Sequence, residues 1–162
     1  MERFIELYEA VYKDLYYLAF YYLGNQHEAE DAVGEAVMHA YESFHLLKSE
    51  DAFRGWMIKI LVNQCKHQQK KRNKQRTDVM IEEPSYHPNL EDKVIIQDML
   101  QKLSDEERMI VLLSVFGGYK GEEIAKCMHM LHSTVRSKYR RALRKLKEQI
   151  LAEEVQYGRD EI

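Results

Sequence analysis

The stretch EEIAKCMHMLHSTVRSKYRRAL, residues 122–143, predicts two helices joined by a tight turn. Ile124, Ala125 and Met128 recur at helical spacing in the first segment, and Ala125 is small where two helices must approach closely. The second segment has its own inward stripe, formed by Val135, Tyr139, Ala142, Leu143 and Leu146. We therefore predict a helix-turn-helix, with helices over 120–128 and from 133 to about 152.

The opposite side of the second predicted helix is strongly basic. Arginine can form paired hydrogen bonds with guanine in the major groove, and hydroxyl groups suit phosphate contacts. These residue types predict a DNA-reading surface, with a basic amphipathic helix that has no nucleic-acid partner as the alternative. The candidate DNA-binding residues are Ser133, Thr134, Arg136, Ser137, Arg140, Arg141 and Arg144.

Positive charge is concentrated in two blocks, although the 162-residue chain has a formal net charge of -3. Residues 51–76 hold 8 basic and 1 acidic side chains, and residues 117–149 hold 9 and 3. The first 50 residues hold 3 basic and 10 acidic side chains. A basic block attracts a polyanion through its local field even when the total charge is negative. Two such blocks predict two contacts with nucleic acid.

The composition favours long helices, since the chain contains only 7 glycines and 2 prolines. Apolar residues recur at helical spacing over 3–22, about 26–45 and 52–72. We predict an all-α fold of two small helical domains joined by a flexible linker. The first is a three-helix unit, and the second is a four-helix unit that contains the helix-turn-helix.

The predicted domain boundaries follow from where helical periodicity is lost. It is lost over 73–92, which contains Pro84 and Pro88. We predict a first domain at 1–72, a linker at 73–92, a second domain at 93–152 and an acidic tail at 153–162.

Three segments together resemble a known family. They are NQHEAEDAVGEAVMHAYESF at 25–44, AFRGWMIKILVNQCKHQQKKR at 52–72, and QKLSDEERMIVLLSVFGGYKGEEIAKCMHMLHSTVRSKYRRALRKLK at 101–147. In order and spacing, the chain from about residue 3 to 150 resembles an extracytoplasmic-function sigma factor, a small two-domain sigma subunit of bacterial RNA polymerase.

The resemblance implies a role for each domain. The first would bind core polymerase and would read and melt the minus-ten element, and the second would read the minus-thirty-five element. Asp31 and Glu35 match positions that contact the clamp helices of the largest polymerase subunit. Phe53, Trp56 and Asn63 match the region that captures an unstacked base, and an aromatic face with an amide suits that task. The matching phosphate-path residues are Lys59, Lys66, Lys70, Lys71 and Arg72. Loop 45–52 matches the specificity loop.

The resemblance also implies partners. These are the polymerase core, including the flap of its second-largest subunit, promoter DNA, and an anti-sigma factor acting in a stress or cell-envelope response. We expect no cofactor, no metal and no enzymatic activity of its own. No window is long enough to span a membrane, and the first residues are acidic, so we expect a cytoplasmic protein without membrane insertion.

The chain departs from the family pattern at three positions. His129 replaces the usual turn glycine, and histidine tolerates a left-handed backbone at some cost. Leu131 occupies the usual cap position of the recognition helix, so we expect Ser133 to cap a helix that starts slightly later. Gly34 replaces a common glutamine inside a helix, for which we expect close packing as the reason.

Other interpretations of the sequence are weaker. Cys127, His129 and His132 lie close together but lack a fourth metal ligand. We find no phosphate-binding glycine loop and no nucleophile elbow. A stand-alone helix-turn-helix regulator and a helical adaptor that binds only protein are the remaining alternatives. Two basic blocks favour a protein with two DNA-reading surfaces over either alternative.

Overall fold

The computed structural model describes residues 1–75 and 91–160, and those residues form helices and short connections with no strand. The chain divides into two compact units, Met1–His87 and Pro88–Ile162. The predicted all-α fold with two helical units is confirmed. Most of the predicted linker, including Pro84 and Pro88, lies outside the described residues.

Within residues 1–75, the first unit forms three helices that all pack against one another. Two 3-10 turns, Phe44–Leu46 and Glu50–Ala52, form most of the connection between the second and third helices. The helices are α1 at Glu2–Leu23, α2 at Gln26–Ser43 and α3 at Phe53–Gln75.

Local signals place the junction between α1 and α2. Gly24 ends α1 in a left-handed conformation with φ of 74°, and its amide donates to the Phe20 carbonyl. The Asn25 side chain then accepts a hydrogen bond from the Glu28 amide at 3.1 Å, which caps α2. Both signals are readable in the sequence, because Asn25 followed three residues later by Glu28 resembles a capping box and so predicts this cap.

An aromatic cluster fixes the start of α3 against α1. The buried Phe4 ring meets Tyr41, Phe44 and Phe53 edge-on, at centroid distances of 5.4, 5.3 and 5.7 Å. Edge-to-face pairs of this kind add about 0.5–1.5 kcal/mol each beyond their buried area. The cluster therefore anchors both ends of the loop that precedes α3.

Within residues 91–160, the second unit forms four helices, and α7 packs against each of the other three. Ser104 caps α5 by accepting from the Glu107 amide at 3.2 Å, as its capping-box pattern predicts. Gly118 follows α5 with φ of 66°. The helices are α4 at Glu91–Gln101, α5 at Asp105–Val115, α6 at Gly121–Met128 and α7 at His132–Asp160.

The structure corrects three local predictions. α7 begins at His132, and the Leu131 carbonyl accepts from the Val135 amide at 3.1 Å, so Ser133 lies inside the first turn and does not cap the helix. α7 runs to Asp160, so the predicted acidic tail is helical as far as that residue. Gly34 is exposed, and a side chain there would meet nothing within 4 Å. Close packing is therefore not the reason for this glycine.

Charged side chains lie inside the second unit, at the start of α5. Arg108 is 2% exposed and donates to the Leu103 carbonyl at 3.2 Å and to Asp105 at 2.9 Å. Glu107 is also buried and accepts from Lys145 of α7 at 3.0 Å. Burying charge costs free energy unless it is paired. The Glu107–Lys145 contact therefore constrains how α5 and α7 dock.

Candidate nucleic-acid interface

α7 carries a row of exposed arginines on the side that faces away from its unit. Arg136, Arg140 and Arg144 lie one helical turn apart, and Ser137 and Arg141 lie beside them. All five are exposed. Ser133 is exposed at the start of the row, and Thr134 is partly buried.

A shallow hollow of about 420 Å³ lies along this row. It is lined by residues that the sequence analysis selected for DNA contact, namely Ser133, Arg136, Ser137, Arg140, Arg141 and Arg144. Thr134 lines an adjoining hollow with Lys138. The structure therefore brings the whole predicted α7 set onto one continuous surface, which we call the arginine surface.

The turn before α7 sets the angle between the two helices of the motif. His129 adopts the left-handed conformation, with φ of 55° and ψ of 46°. Its amide donates to Lys126, and the Met130 amide donates to the Ala125 carbonyl at 2.9 Å, which is a Schellman arrangement. The predicted left-handed backbone at His129 is confirmed.

Gly121 lies against the start of α7. A Cβ at Gly121 would lie 2.8 Å from Nε2 of His132, so a larger residue there would require the exposed His132 side chain to move. Val135 and Ala142 are buried and hold α7 from the inner side. Leu143, which we predicted to face inward, is 44% exposed.

Acids of α5 pair with two of the lysines of α7. Lys138 pairs with Glu106 at 2.5 Å, and Lys145 pairs with Glu107 at 3.0 Å. Among the side chains that the structure describes, those of residues 1–75 and 95–159, no acid pairs with any member of the arginine surface. The arginine charges therefore stay available to an external anion.

A second polar stripe runs along α3. Trp56, Lys59, Asn63, Lys66 and Lys70 follow one another three or four residues apart, so they share one helix face. Lys59, Asn63 and Lys70 are exposed, whereas Trp56 and Lys66 are partly buried. We call this set the α3 stripe.

The residues beside the α3 stripe are also basic, but they differ in whether an acidic side chain already pairs with them. Lys71 is exposed beside the stripe. Arg72 pairs with Glu28 at the start of α2. Among the described residues, Lys59, Lys66, Lys70 and Lys71 form no ion pair.

The structure corrects the prediction for Phe53. Its side chain is 2% exposed within the aromatic cluster, so it has no face open to a base. Its ring centroid lies 6.0 Å from that of Trp56. Phe53 therefore supports Trp56, and the partly exposed indole is the aromatic group of α3 that an unstacked base could reach.

Arg3, which we did not predict from the sequence as a functional residue, steadies loop 45–52. Arg3 of α1 makes paired hydrogen bonds with the Glu50 carboxylate, the longer of them 2.8 Å. Its guanidinium lowers the pKa of Glu50, mainly through the side-chain hydrogen bond. The two residues are 47 positions apart, so no local pattern could have indicated the pair.

A third surface lies on α2, where Asp31 and Glu35 are both exposed one turn apart. Gly34 lies between them and leaves the backbone open. Met38 continues the row at the next turn and is 61% exposed. We did not predict Met38 as part of this surface, although its spacing from Glu35 places it on the same helix face.

The structure gives no support to a metal site in the helix-turn-helix. Cys127 is buried, whereas His129 and His132 are exposed. In the part of the chain that the structure describes, no group of three or more His, Cys, Asp or Glu residues could hold a metal ion. In the same part, no helix combines the length and apolar character needed to cross a membrane.

Comparison with known proteins relates both units to one family. The model for sigma-70 region 2 matches residues 7–75, and the model for sigma-70 region 4 matches residues 93–146. The first match spans α2, α3 and most of α1. The second contains the helix-turn-helix and the arginine surface.

Relatives and solved structures agree with these matches. RNA polymerase sigma factor SigV of Bacillus subtilis (strain 168) is 30% identical over 146 residues, covering 88% of each chain. ECF RNA polymerase sigma factor SigE of Mycolicibacterium smegmatis is 28% identical over 145 residues, covering 83% of this chain and 56% of that protein. The fold matches the sigma factor RpoE, solved with the anti-sigma factor NepR from Bartonella quintana, with a TM-score of 0.80 and 24% identity, covering 93% of this chain and 98% of that one. This chain therefore belongs to the sigma-70 family of RNA polymerase sigma factors, in the extracytoplasmic-function group.

Proposed function

We propose that this sigma factor recognises a promoter with two separate surfaces, the arginine surface on α7 and the α3 stripe. As a family member, the protein directs promoter-specific initiation and is not itself an enzyme. The observation that carries the proposal is the pair of cationic faces, one on each unit, that no acid of the described chain neutralises. A stand-alone helix-turn-helix repressor needs only one such DNA-binding face.

The second domain, 93–152, reads the minus-thirty-five element in this proposal. The start of α7 enters the major groove, where Arg136 and Arg140 can each form two hydrogen bonds with guanine. Ser133, Thr134 and Ser137 bind phosphates and set the register of the helix on the duplex. Lys138 and Lys145 are excluded from base reading because α5 already pairs them.

The first domain, 1–72, melts and reads the minus-ten element. The Trp56 indole stacks on an unpaired base, and the Asn63 amide hydrogen-bonds its exposed edge. Lys59, Lys66 and Lys70 then follow the phosphates of the separated strand along the same helix face. Loop 45–52, steadied by Arg3, frames the captured base.

The acidic row on α2 binds the polymerase. Asp31 and Glu35 contact the clamp helices of the largest subunit, and Gly34 lets a partner helix come close to the α2 backbone. The second domain rests on the flap of the second-largest subunit. RpoE was solved bound to an anti-sigma factor, and we propose that an anti-sigma factor also holds this protein inactive until a stress or envelope signal releases it.

The test is run-off transcription with purified bacterial core polymerase and a library of promoters. We expect discrete transcripts that appear only when this protein is added and that share two sequence elements. A stand-alone repressor would produce no such transcripts. Their absence with every polymerase and template tested would overturn the proposal.

The α7 assignment predicts which arginines choose the promoter. Arg136→Ala and Arg140→Ala should each weaken discrimination at the upstream element by about 1–3 kcal/mol, because each loses a paired contact with guanine. Arg159→Ala is the matched control, since it removes the same charge at the far end of the same helix. Competition transcription between promoters that differ only at the upstream element measures the effect. Equal discrimination by all three variants would contradict the assignment.

A further inference from the structure

The end of α7 continues the exposed side of the helix beyond the arginines, and the proposed DNA contacts do not use this part. The region 4 family model stops at residue 146, whereas α7 continues to Asp160. Successive positions three or four residues apart form one face across this extension. Its members are Leu143, Lys147, Ile150, Leu151, Glu154 and Gly158.

This face, which we call the terminal face, is unusually apolar for exposed helix. Leu143, Ile150 and Leu151 are 44%, 48% and 50% exposed. The opposite side of the helix packs on α4, where the Gln149 side chain donates to the Met99 carbonyl at 3.3 Å. The terminal face therefore points away from its own unit.

The charges on the terminal face complement those of a second, identical face that runs antiparallel to it. Lys147 lies one turn before Ile150, and Glu154 lies one turn after it. We propose that two copies of the protein pair through this face, with their α7 helices antiparallel and the two-fold axis between Ile150 and Leu151. Ile150 then packs against Leu151 of the partner subunit, and Lys147 faces Glu154 of the partner subunit. Two-fold symmetry makes each contact twice.

The outer positions fit the same register. Leu143 falls opposite Gly158 of the partner subunit, and a Cβ at Gly158 would meet nothing within 4 Å, so that backbone is open to a neighbour.

The pair is expected to be weak and reversible. The contact spans 16 residues of one helix, residues 143–158, or about 24 Å. Interfaces that bury less than about 1,200 Å² are typical of transient association. If the proposed DNA contacts hold, pairing also covers Arg144 at the end of the arginine surface, so self-association and promoter binding compete.

Charge reversal tests the pairing. Sedimentation equilibrium of the full chain should show a concentration-dependent dimer. Lys147→Glu and Glu154→Lys should each weaken dimerisation at least tenfold, because each places two like-charged pairs in the interface. The double variant, and an equimolar mixture of the two single variants, should regain dimerisation because opposite charges face each other again.

Matched controls separate specific pairing from a change in net charge. Lys48→Glu and Glu42→Lys make the same charge changes at exposed positions of the first unit and should dimerise like the original chain. Far-ultraviolet circular dichroism checks that all variants are folded. A chain that stays monomeric at every concentration, or single reversals that dimerise normally, would overturn the proposal. These measurements use no DNA or polymerase. A negative result would therefore contradict the pairing of two copies without bearing on the proposed function.

Discussion

At the scale of single residues, the most informative position is His129. It is the one non-glycine residue with positive φ in residues 1–75 and 91–160, and it lies where the helix-turn-helix changes direction. For a residue with a Cβ the left-handed conformation costs about 1–2 kcal/mol. Two backbone hydrogen bonds of the Schellman arrangement offset that cost and hold the turn.

Two different substitutions of His129 should therefore change the free energy of unfolding in opposite directions. His129→Gly should raise the free energy of unfolding by about 0.5–1 kcal/mol, because relief of the backbone strain exceeds the added entropy of the unfolded chain. His129→Val should lower it, because a β-branched residue fits the left-handed region poorly. Urea denaturation followed by circular dichroism measures both.

The single tryptophan supplies an internal control for that experiment. Trp56 lies in the first unit, so its fluorescence should report the same transition in both variants. A destabilised His129→Gly protein, or a shift of the Trp56 transition, would contradict the account of the turn.

At the scale of helices, α5 decides which cations of α7 can reach DNA. Glu106 and Glu107 stand at the start of α5, where the helix dipole favours negative charge. They pair with Lys138 and Lys145 of α7. The two pairs differ in burial, since the side chain of Glu106 is 50% exposed and that of Glu107 is 4% exposed.

This difference in burial predicts unequal losses of stability. Lys145→Ala should cost about 1–3 kcal/mol, because it leaves the buried Glu107 carboxylate without its cation. Lys138→Ala is the matched variant and should cost less than about 1 kcal/mol, because water solvates Glu106. Amide hydrogen exchange of α5 and α7 in the full chain measures both. Similar losses of stability for the two variants would show that the burial of Glu107 does not determine how much its pairing with Lys145 contributes.

At the scale of the whole molecule, positive and negative charge alternate along the chain. The acidic first 50 residues precede the basic block that contains the α3 stripe, and a second acidic block precedes the arginine surface. A polyanion is attracted by the basic faces and repelled by the acidic ones. We therefore expect the free protein to bind promoter DNA poorly and the polymerase-bound protein to bind it well. A footprint by free protein equal to that of the holoenzyme would refute this expectation.

The phosphate-path lysines should set affinity without setting sequence preference. Lys70→Ala and Lys71→Ala should each weaken holoenzyme binding to all promoters alike and reduce the dependence of affinity on salt, because each removes one phosphate contact. Lys13→Ala, in α1 of the same unit, removes an exposed lysine outside the proposed path and should change neither. Binding measured over a series of salt concentrations tests this. A changed promoter preference would be evidence that these lysines read bases.

The sequence alone determined the all-helical class, the two units, the caps at Asn25 and Ser104, the left-handed His129 and the basic side of α7. These features depend on contacts within about one helical turn, so neighbouring residues encode them. The tertiary structure decided that Phe53 belongs to the core, that Arg3 holds loop 45–52, and that α5 neutralises two lysines but no arginine of α7. Burial and ion pairing depend on which distant side chain another helix brings close. Glu107 and Lys145 are 38 residues apart, and only the packing of α5 on α7 brings them together.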